Sequence, residues 1–219
     1  MNIREFGSRT GIVEIVHFTT NKGLLGTLLS GALLPRSLLA QNHLLEFILK
    51  YNAAMRTDDD WFGYNSMSIN EINDRFYEIQ KKKHKEIWWC IVSFDPVILE
   101  HDDVWFATTN NAYPGVTRAK GLEGLKRLYG TSIDHGFATW PPHSRKGARD
   151  CDPTCRQAEV LYPGRLPVEH LRKIYVQTQT ELIEAASYVP FIKDAPREVV
   201  EVVVAPERFH AVPDRCKKS

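Results

Sequence analysis

Short strand-like runs, separated by few helical segments, set the strongest limit on the fold of this chain. Apolar or alternating runs predict strands near residues 12–18, 33–38, 62–69, 87–94, 104–107, 157–162, 172–177 and 198–204. Helical patterns follow Asn21 and cover residues 44–49, 70–83, 121–129 and 180–186. This order predicts an α+β sheet core and not a doubly wound parallel sheet.

Length and charge exclude several classes of function. The chain has 219 residues, 43% of them hydrophobic, and is expected to form one domain with flexible ends at about 1–10 and 211–219. Its 28 basic and 27 acidic residues leave a net charge of +1, so any polyanion needs a local patch. No run of about 18 apolar residues and no leader-like start occurs, which predicts a cytoplasmic protein without a membrane partner.

The chain lacks the commonest signatures of nucleotide and metal sites. Neither a Gly-x-Gly-x-x-Gly run after a strand nor a Walker-type loop is present, so a bound nucleotide would need another cradle. Cys151 and Cys155 form the only close pair among four cysteines, without a second ligand pair in register. We therefore expect reduced thiols and no metal site.

Three strand-like runs end in polar residues that can serve one cleft. His17 ends the first run, serines alternate along residues 64–69, and Glu159 stands in a third run directly after a long irregular stretch. Together they predict one polar cleft. Taken singly, each has a plainer interpretation: a core histidine with its hydrogen bonds satisfied, ordinary sheet alternation, and a solvated charge on an edge strand.

Residues 131–155 form the least periodic part of the sequence. Phe137 and Trp140 are interleaved there with Arg145, Lys146 and Arg149. Rings that stack on bases and cations that neutralise phosphates are typical of a groove for single-stranded nucleic acid. A loop of this length is usually functional or disordered, so a plain surface loop is the alternative.

In their order and spacing, these motifs resemble the DarT family of DNA ADP-ribosyltransferase toxins. The resemblance spans about residues 12–205 and is carried by residues 17–19 with 21–24, an arginine before residues 64–70, and residues 157–162. The strings at 88–90, 106–111 and 157–162 are similar to the guanine-modifying branch of that family. Singly the motifs are weak, but as an ordered set they are specific.

The resemblance implies an ADP-ribosyltransferase-like fold in which two packed, twisted β-sheets form an NAD cleft with peripheral helices. It implies a toxin that transfers ADP-ribose from NAD to a base, guanine, of single-stranded DNA. The implied partner is an antitoxin hydrolase of the macrodomain or NADAR type, in a bacterial cytoplasm or in phage defence. An NAD glycohydrolase, a transferase acting on RNA or protein, and a catalytically silent binding module are the alternatives.

The resemblance also implies roles for the cofactor side of the cleft. Glu159 matches the carboxylate that stabilises an oxocarbenium-like transition state and takes a proton from the acceptor. Arg56 is the candidate for the arginine on the cofactor phosphates, with Arg36 as the alternative. The remaining cofactor-binding candidates are His17, Phe18, Thr19, Asn21, Gly23, Leu24, Tyr64, Ser66 and Ser68.

On the acceptor side, Gln157 precedes Glu159 by two residues. In a strand the two side chains would share a face. In related transferases this position helps select the acceptor, so the resemblance implies that Gln157 bonds the target base. The other DNA-binding candidates are Asn110, Asn111, Arg118, Trp140, Arg145, Lys146 and Arg149. The Thr-Thr-Asn-Asn run that contains two of them is also an ordinary turn composition.

Overall fold

The computed structural model describes residues 1–42, 45, 48–49, 61–134, 137, 139–192 and 200–210. Within these residues the α-helices are α1 Ile3–Thr10, α2 Asn21–Ser30, α3 Arg36–Ala40, α4 Asp74–Lys83, α5 Gly121–Arg127 and α6 Gln179–Tyr188. The strands are β1 Ile15–Thr20, β2 Ala32–Leu33, β3 Tyr64–Ile69, β4 Trp89–Phe94, β5 Trp105–Ala107, β6 Arg118–Lys120, β7 Ser132–Ile133, β8 His143–Ser144, β9 Glu159–Pro163, β10 Leu166–Pro167, β11 Leu171–Val176 and β12 Glu201–Val204. None of the described helices is both long and apolar enough to cross a bilayer.

The main strands form one mixed sheet in the order β12-β11-β4-β1-β3-β9-β5-β6. Neighbours run antiparallel except β11 and β12, which are parallel. Two short ribbons, β2 with β10 and β7 with β8, lie outside this sheet. The α+β prediction is therefore confirmed.

The sheet divides between β1 and β3. β1 pairs with β4 along its whole length but with β3 only at Ile15–Ile69 and Val16–Ser68. Beyond Val16 the ladder ends and the two halves of the sheet separate, which agrees with the right-handed twist that neighbouring strands accumulate. The two expected sheets are thus joined at one end, and a cleft opens at the other.

A buried ion pair secures the joined end. Glu14, directly before β1, pairs with Arg208 and accepts a hydrogen bond of 2.5 Å from Ser93 Oγ. Arg208 also donates to the carbonyl oxygen of Asn70, directly after β3, at 2.9 Å. Because an arginine from the last described segment bonds to both strand ends, it holds β1 and β3 together where they still pair.

The core lies around β4, all of whose residues are buried. This strand is the most apolar run of the sequence and lies between β11 and β1. Leu24 and Leu28 of α2, fully buried, pack into the same hydrophobic cluster as Val92 and Phe94. A helix anchored in this way holds its first turn beside the gap between β1 and β3.

Some elements differ from the sequence predictions. Residues 1–10, expected to be flexible, contain α1, which starts with a capping box between Asn2 and Glu5 and packs Phe6 against Tyr129. The strand predicted at 33–38 already ends at Leu33, and Pro35 occupies the N-cap position of α3. Residues 211–219, and residues 44, 46 and 47 of the helix predicted at 44–49, lie outside the described residues.

Candidate active site

A cavity fills the gap between the two halves of the sheet. Its walls come from β1, the first turns of α2, α3, β3 and the start of β9. Most of the cofactor-side candidates line this cavity: His17, Phe18, Thr19, Gly23, Tyr64, Ser66, Ser68 and Glu159. Segments that are far apart in the sequence therefore meet at one site, as the three polar strand ends predicted.

His17 lies where the β1–β3 ladder stops. Its Nδ1 is 2.8 Å from the carbonyl oxygen of Ser66. A carbonyl only accepts hydrogen bonds, so Nδ1 carries the proton and Nε2 of the neutral ring is an acceptor. The lone pair of His17 Nε2 can therefore accept a hydrogen bond from a hydroxyl.

Phe18 forms a wall of the cavity and anchors it to the core. Its ring lies 5.7 Å from Phe76, 5.6 Å from Tyr77 and 5.8 Å from Trp89. Aromatic packing of this density leaves the ring little freedom. Phe18 therefore contributes shape to the cavity more than polar contacts.

The first turn of α2 borders the cavity. Thr20 caps the helix, since its Oγ1 accepts from the backbone N–H of Gly23 at 3.1 Å. A Cβ at position 23 would lie 2.0 Å from Oγ1 of Thr19, so glycine lets this turn approach β1 closely. The sequence analysis did not name Thr20, although a threonine directly before a helical pattern is an N-cap signal.

Asn21 and Leu24 do not line the cavity, contrary to their predicted cofactor contacts. Asn21 is buried, and its Nδ2 donates to Glu184 of α6 at 3.4 Å. Leu24 is fully buried in the main core cluster. Helical periodicity turns both side chains away from the cavity, so they position α2 and have no exposed face for a ligand.

Glu159 is the first residue of β9 and pairs with Ala107 of β5. It is 7% exposed and borders the cavity, so its carboxylate faces a confined space and not bulk water. A carboxylate in this setting can stabilise a developing positive charge strongly, because little solvent screens it.

The candidate arginine that the structure describes, Arg36, reaches the cavity. Arg36 begins α3, lines the cavity, and stacks its guanidinium 5.0 Å from the ring centroid of Phe62. Arg56 lies outside the described residues. A guanidinium at this wall offers the forked donors that phosphate oxygens accept.

Gln157 does not belong to the strand of Glu159. It lies in a turn closed by a 3.0 Å bond from Ala158 N to the carbonyl oxygen of Cys155, and β9 starts only at Glu159. The shared strand face predicted for Gln157 and Glu159 is therefore wrong. The Gln157 Oε1 accepts a hydrogen bond of 2.8 Å from the hydroxyl of Tyr113, a residue that the sequence analysis missed.

Asn110, Asn111 and Arg118, predicted to hold DNA, organise the loop between β5 and β6. Asn111 is 1% exposed and accepts from Arg118 through its Oδ1 at 2.5 Å and its carbonyl oxygen at 2.6 Å. Oδ1 of Asn110 accepts from the backbone N–H of Ala112. Burial removes Asn111 from any DNA surface, and contact between DNA and the other two stays a prediction.

Two basic residues of the 131–155 segment bond within it. Arg145 stacks 5.0 Å from the ring centroid of Tyr129, and Arg149 forms two bonds with Asp152, at 2.6 and 2.9 Å. The guanidinium of Arg145 donates to oxygen atoms of Arg149, Asp150, Asp152 and Thr154. The segment is therefore built around these two residues, although composition alone did not exclude a plain surface loop.

The same segment exposes the remaining DNA candidates. Lys146 is exposed, Trp140 is 45% exposed and Phe137 is 37% exposed. The rings of Phe137 and Trp140 lie 5.1 Å apart, and Phe137 packs on Tyr113 at 4.9 Å. These contacts connect an exposed aromatic pair to the side of the site that carries Gln157.

Among the described residues, no group of three or more His, Cys, Asp or Glu side chains is arranged to hold a metal ion. The described side chains that line the cavity offer one carboxylate, one imidazole, one guanidinium, hydroxyls and the amides of Asn65, Asn73 and Gln80.

A family model decides the relationship of this chain to known proteins. The model described as "ssDNA thymidine ADP-ribosyltransferase, DarT" matches residues 16–210. The chain belongs to the DarT family. A comparison with curated proteins finds no match.

Solved DarT structures share the fold. Thermus sp. 2.9 DarT in complex with carba-NAD+ is 15% identical, with 91% of this chain and 98% of that chain covered and a TM-score of 0.64. The same protein in complex with ADP-ribosylated ssDNA is 14% identical, with 91% and 97% covered and a TM-score of 0.61. Thermosipho africanus DarTG in complex with ADP-ribose is 13% identical, with 90% and 51% covered and a TM-score of 0.57. At these identities the likeness concerns the DarT fold.

Proposed function

We propose that this chain transfers ADP-ribose from NAD to a guanine base of single-stranded DNA. The observation that carries the proposal is the meeting of His17, Ser66 and Glu159 in one cavity between the two halves of the sheet. Membership of the DarT family gives the reaction class. NAD as donor is supported by the complexes of Thermus sp. 2.9 DarT with NAD+ and carba-NAD+.

The cavity offers matching groups for each part of NAD. Nε2 of His17 accepts a hydrogen bond from a ribose hydroxyl, and the ring of Tyr64, 4.9 Å from that of Trp61, is available for stacking on nicotinamide. Arg36 and the N-terminal turn of α2 attract the phosphates. Phe18, Thr19, Ser66 and Ser68 complete the walls of the cofactor site.

The proposed reaction breaks the bond between nicotinamide nitrogen and ribose C1″. Nicotinamide leaves as a neutral molecule with the bonding electron pair, and Glu159 stabilises the positive charge that develops on the ribose. The lone pair of the guanine amino group forms the new bond to C1″. The proton lost from that nitrogen passes to Glu159 and then to solvent.

Single-stranded DNA is proposed to approach over the exposed aromatic pair. Phe137 and Trp140 provide faces for base stacking, and Lys146 provides a cation for a phosphate. Gln157 lies next to the strand that carries Glu159 and is the proposed contact to the reacting base. In this proposal Arg118, Arg145 and Arg149 mainly stabilise their own loops, and any contacts that they make with DNA are secondary.

Guanine is proposed from the sequence strings that resemble the guanine-modifying branch. Thymidine is the second candidate, because the matching family model is described by that nucleoside. The proposed partner is an antitoxin that removes the modification, a hydrolase of the macrodomain or NADAR type, in the bacterial cytoplasm. The match to 51% of a Thermosipho africanus chain named DarTG is consistent with such a partner.

Intact mass spectrometry of oligonucleotides tests the proposal. Single strands that contain one guanine, one thymine or neither are incubated with protein and NAD, and released nicotinamide is measured in parallel. We expect one ADP-ribose on the guanine strand, and a fall of about 10²-fold or more with Glu159→Gln at unchanged melting temperature. Adducts on the thymine strand alone would mean that the acceptor is thymidine and not guanine. Nicotinamide release without any adduct would contradict transfer to DNA and indicate a glycohydrolase.

A further inference from the structure

We infer that Tyr113 is a positioning residue that fixes the Gln157 amide, so that its nitrogen, and not its oxygen, is offered to the acceptor base. The inference rests on the proposed function. Gln157 lies in a turn, so strand alternation does not orient its side chain. The hydrogen bond of 2.8 Å from the Tyr113 hydroxyl to Oε1 supplies the missing constraint.

Tyr113 is itself held firmly. It lies in the loop between β5 and β6, which is closed by a bond of 3.0 Å from Thr108 N to the carbonyl oxygen of Thr117. The Tyr113 N–H donates to Asn110 at 3.0 Å, and its ring packs edge-on against Phe137. The hydroxyl therefore has a defined position before any substrate arrives.

The backbone on the Gln157 side is also restrained. The N–H of Gln157 donates to Sγ of Cys155 at 3.4 Å, within the turn that leads to Glu159. Cys155 is fully buried and bonds in turn to Thr109 at 3.3 Å. Tyr113 belongs to the loop that follows β5, and Cys155 bonds to Thr109 of the same loop. One loop therefore positions both the side chain and the backbone of Gln157.

The bond determines which end of the amide is presented. An amide has one accepting oxygen and one NH₂ group with two donors. With Oε1 bonded to Tyr113, no described residue accepts from Nε2. A flip of the amide would turn the Nε2 donors toward the Tyr113 hydroxyl, whose own proton would then lose the acceptor that it has among the described residues. The donor end therefore faces the acceptor site, and the base must present an accepting atom there.

Two variants distinguish the orientation of the Gln157 amide from the mere presence of a polar side chain at position 157. Gln157→Glu keeps an oxygen for the Tyr113 hydroxyl but replaces the donor end by a second acceptor. Tyr113→Phe keeps the ring against Phe137 but frees the amide to rotate. We expect Gln157→Glu to lower adduct formation about as strongly as Gln157→Ala, and Tyr113→Phe to lower it about tenfold and relax the choice of base.

The experiment uses single strands that contain one guanine, one thymine or neither. It measures adducts and nicotinamide release for the wild type, Gln157→Glu, Gln157→Ala, Tyr113→Phe and the combined Tyr113→Phe/Gln157→Ala variant. Without DNA, nicotinamide release by Tyr113→Phe should change by less than about twofold, since Tyr113 does not line the cavity. In adduct formation, the combined variant should match Gln157→Ala alone. Tyr175→Phe, which removes a hydroxyl bonded to Glu14 at 2.9 Å, is the control and should keep wild-type ratios of adduct to nicotinamide.

The possible outcomes are distinguishable. A wild type that forms adducts, together with a Tyr113→Phe variant of unchanged yield and base choice, overturns the positioning role but not the proposed function. Full activity of Gln157→Glu, or additive losses in the combined variant, also overturns it. A wild type that releases nicotinamide but forms no adduct removes the proposed function and this inference together.

Discussion

The Nδ1 atom of His17 lies 2.8 Å from the carbonyl oxygen of Ser66, at the point where β1 and β3 stop pairing. A side chain of one strand thus bonds to the backbone of the other just beyond their last ladder pair. At the opposite side of that pairing, Arg208 bonds to Glu14 and to Asn70. The cleft is therefore open, but the relative position of β1 and β3 is fixed because side chains connect them on both sides of their short ladder.

Two amide substitutions at His17 should separate its two roles. The side-chain amide of Asn lies about where Nδ1 of His17 lies and can keep the bond to the Ser66 carbonyl oxygen. The longer side chain of Gln places its amide about where Nε2 lies and loses that bond. We expect His17→Asn to weaken carba-NAD binding about tenfold, the effect of one lost hydrogen bond of about 1.4 kcal/mol, and His17→Gln to weaken it less, because its amide oxygen can replace Nε2 as acceptor. His17→Asn should keep the wild-type melting temperature, and His17→Gln should lower it. Calorimetric titration and thermal denaturation check this, and equal melting temperatures would contradict the two-role account.

Much of the fold was predictable because its core strands have strong local signals. The strand β4 is apolar at every position except Ser93 and β9 follows a clear break, so both were predicted within two residues. The short strand β6 was not, since Arg118–Lys120 has no apolar pattern and exists only through pairing with β5. Helix α1 was missed for a related reason: its Asn2 cap is visible, but its contact with Tyr129 is tertiary.

The site was predictable where the residue type limits the chemistry. His17 lies within β1 and Glu159 begins β9, and a polar residue at the edge of an apolar run is a pattern that sequence shows directly. Asn21 was assigned wrongly to the cavity because its direction depends on Glu184, a residue far along the chain. Tyr113 was missed for the same reason, since no local pattern connects it to Gln157.

Arginine variants should decide which guanidinium binds the cofactor phosphates. Arg36 lines the cavity, so Arg36→Lys should raise the KM for NAD because a lysine has no forked donors. Arg36→Met keeps an unbranched apolar side chain but loses the guanidinium that lies over Phe62, and should raise KM further. The parallel Arg56→Lys and Arg56→Met variants are the comparison. An effect on KM confined to Arg56 would transfer the phosphate role to that residue.

Arg145 and Lys146 are neighbours with opposite environments. The guanidinium of Arg145 bonds to four oxygen atoms of its own segment, so Arg145→Ala should lower the free energy of unfolding by about 2 kcal/mol. Lys146 is exposed, and Lys146→Ala should leave stability within about 0.5 kcal/mol. In titrations with single-stranded DNA, Lys146→Ala should reduce the salt dependence of binding. If Lys146→Ala were the less stable variant, the structural role of Arg145 would be refuted.

Glu184 should make the anchoring of α2 sensitive to acid. Burial alone would raise the pKa of this carboxyl group, but hydrogen bonds from Tyr188, Trp88 and Asn21 outweigh it and hold the pKa below its ordinary value of 4.5. A carboxylate whose pKa is lowered by folding stabilises the protein above 4.5, and this contribution is lost as the pH falls through the lowered pKa. Glu184→Gln should therefore be less stable than the wild type at pH 7, and the difference should shrink below pH 4.5. Urea unfolding across that range checks this, with the exposed Glu207→Gln as control; a difference independent of pH would mean that the charge of Glu184 plays no part.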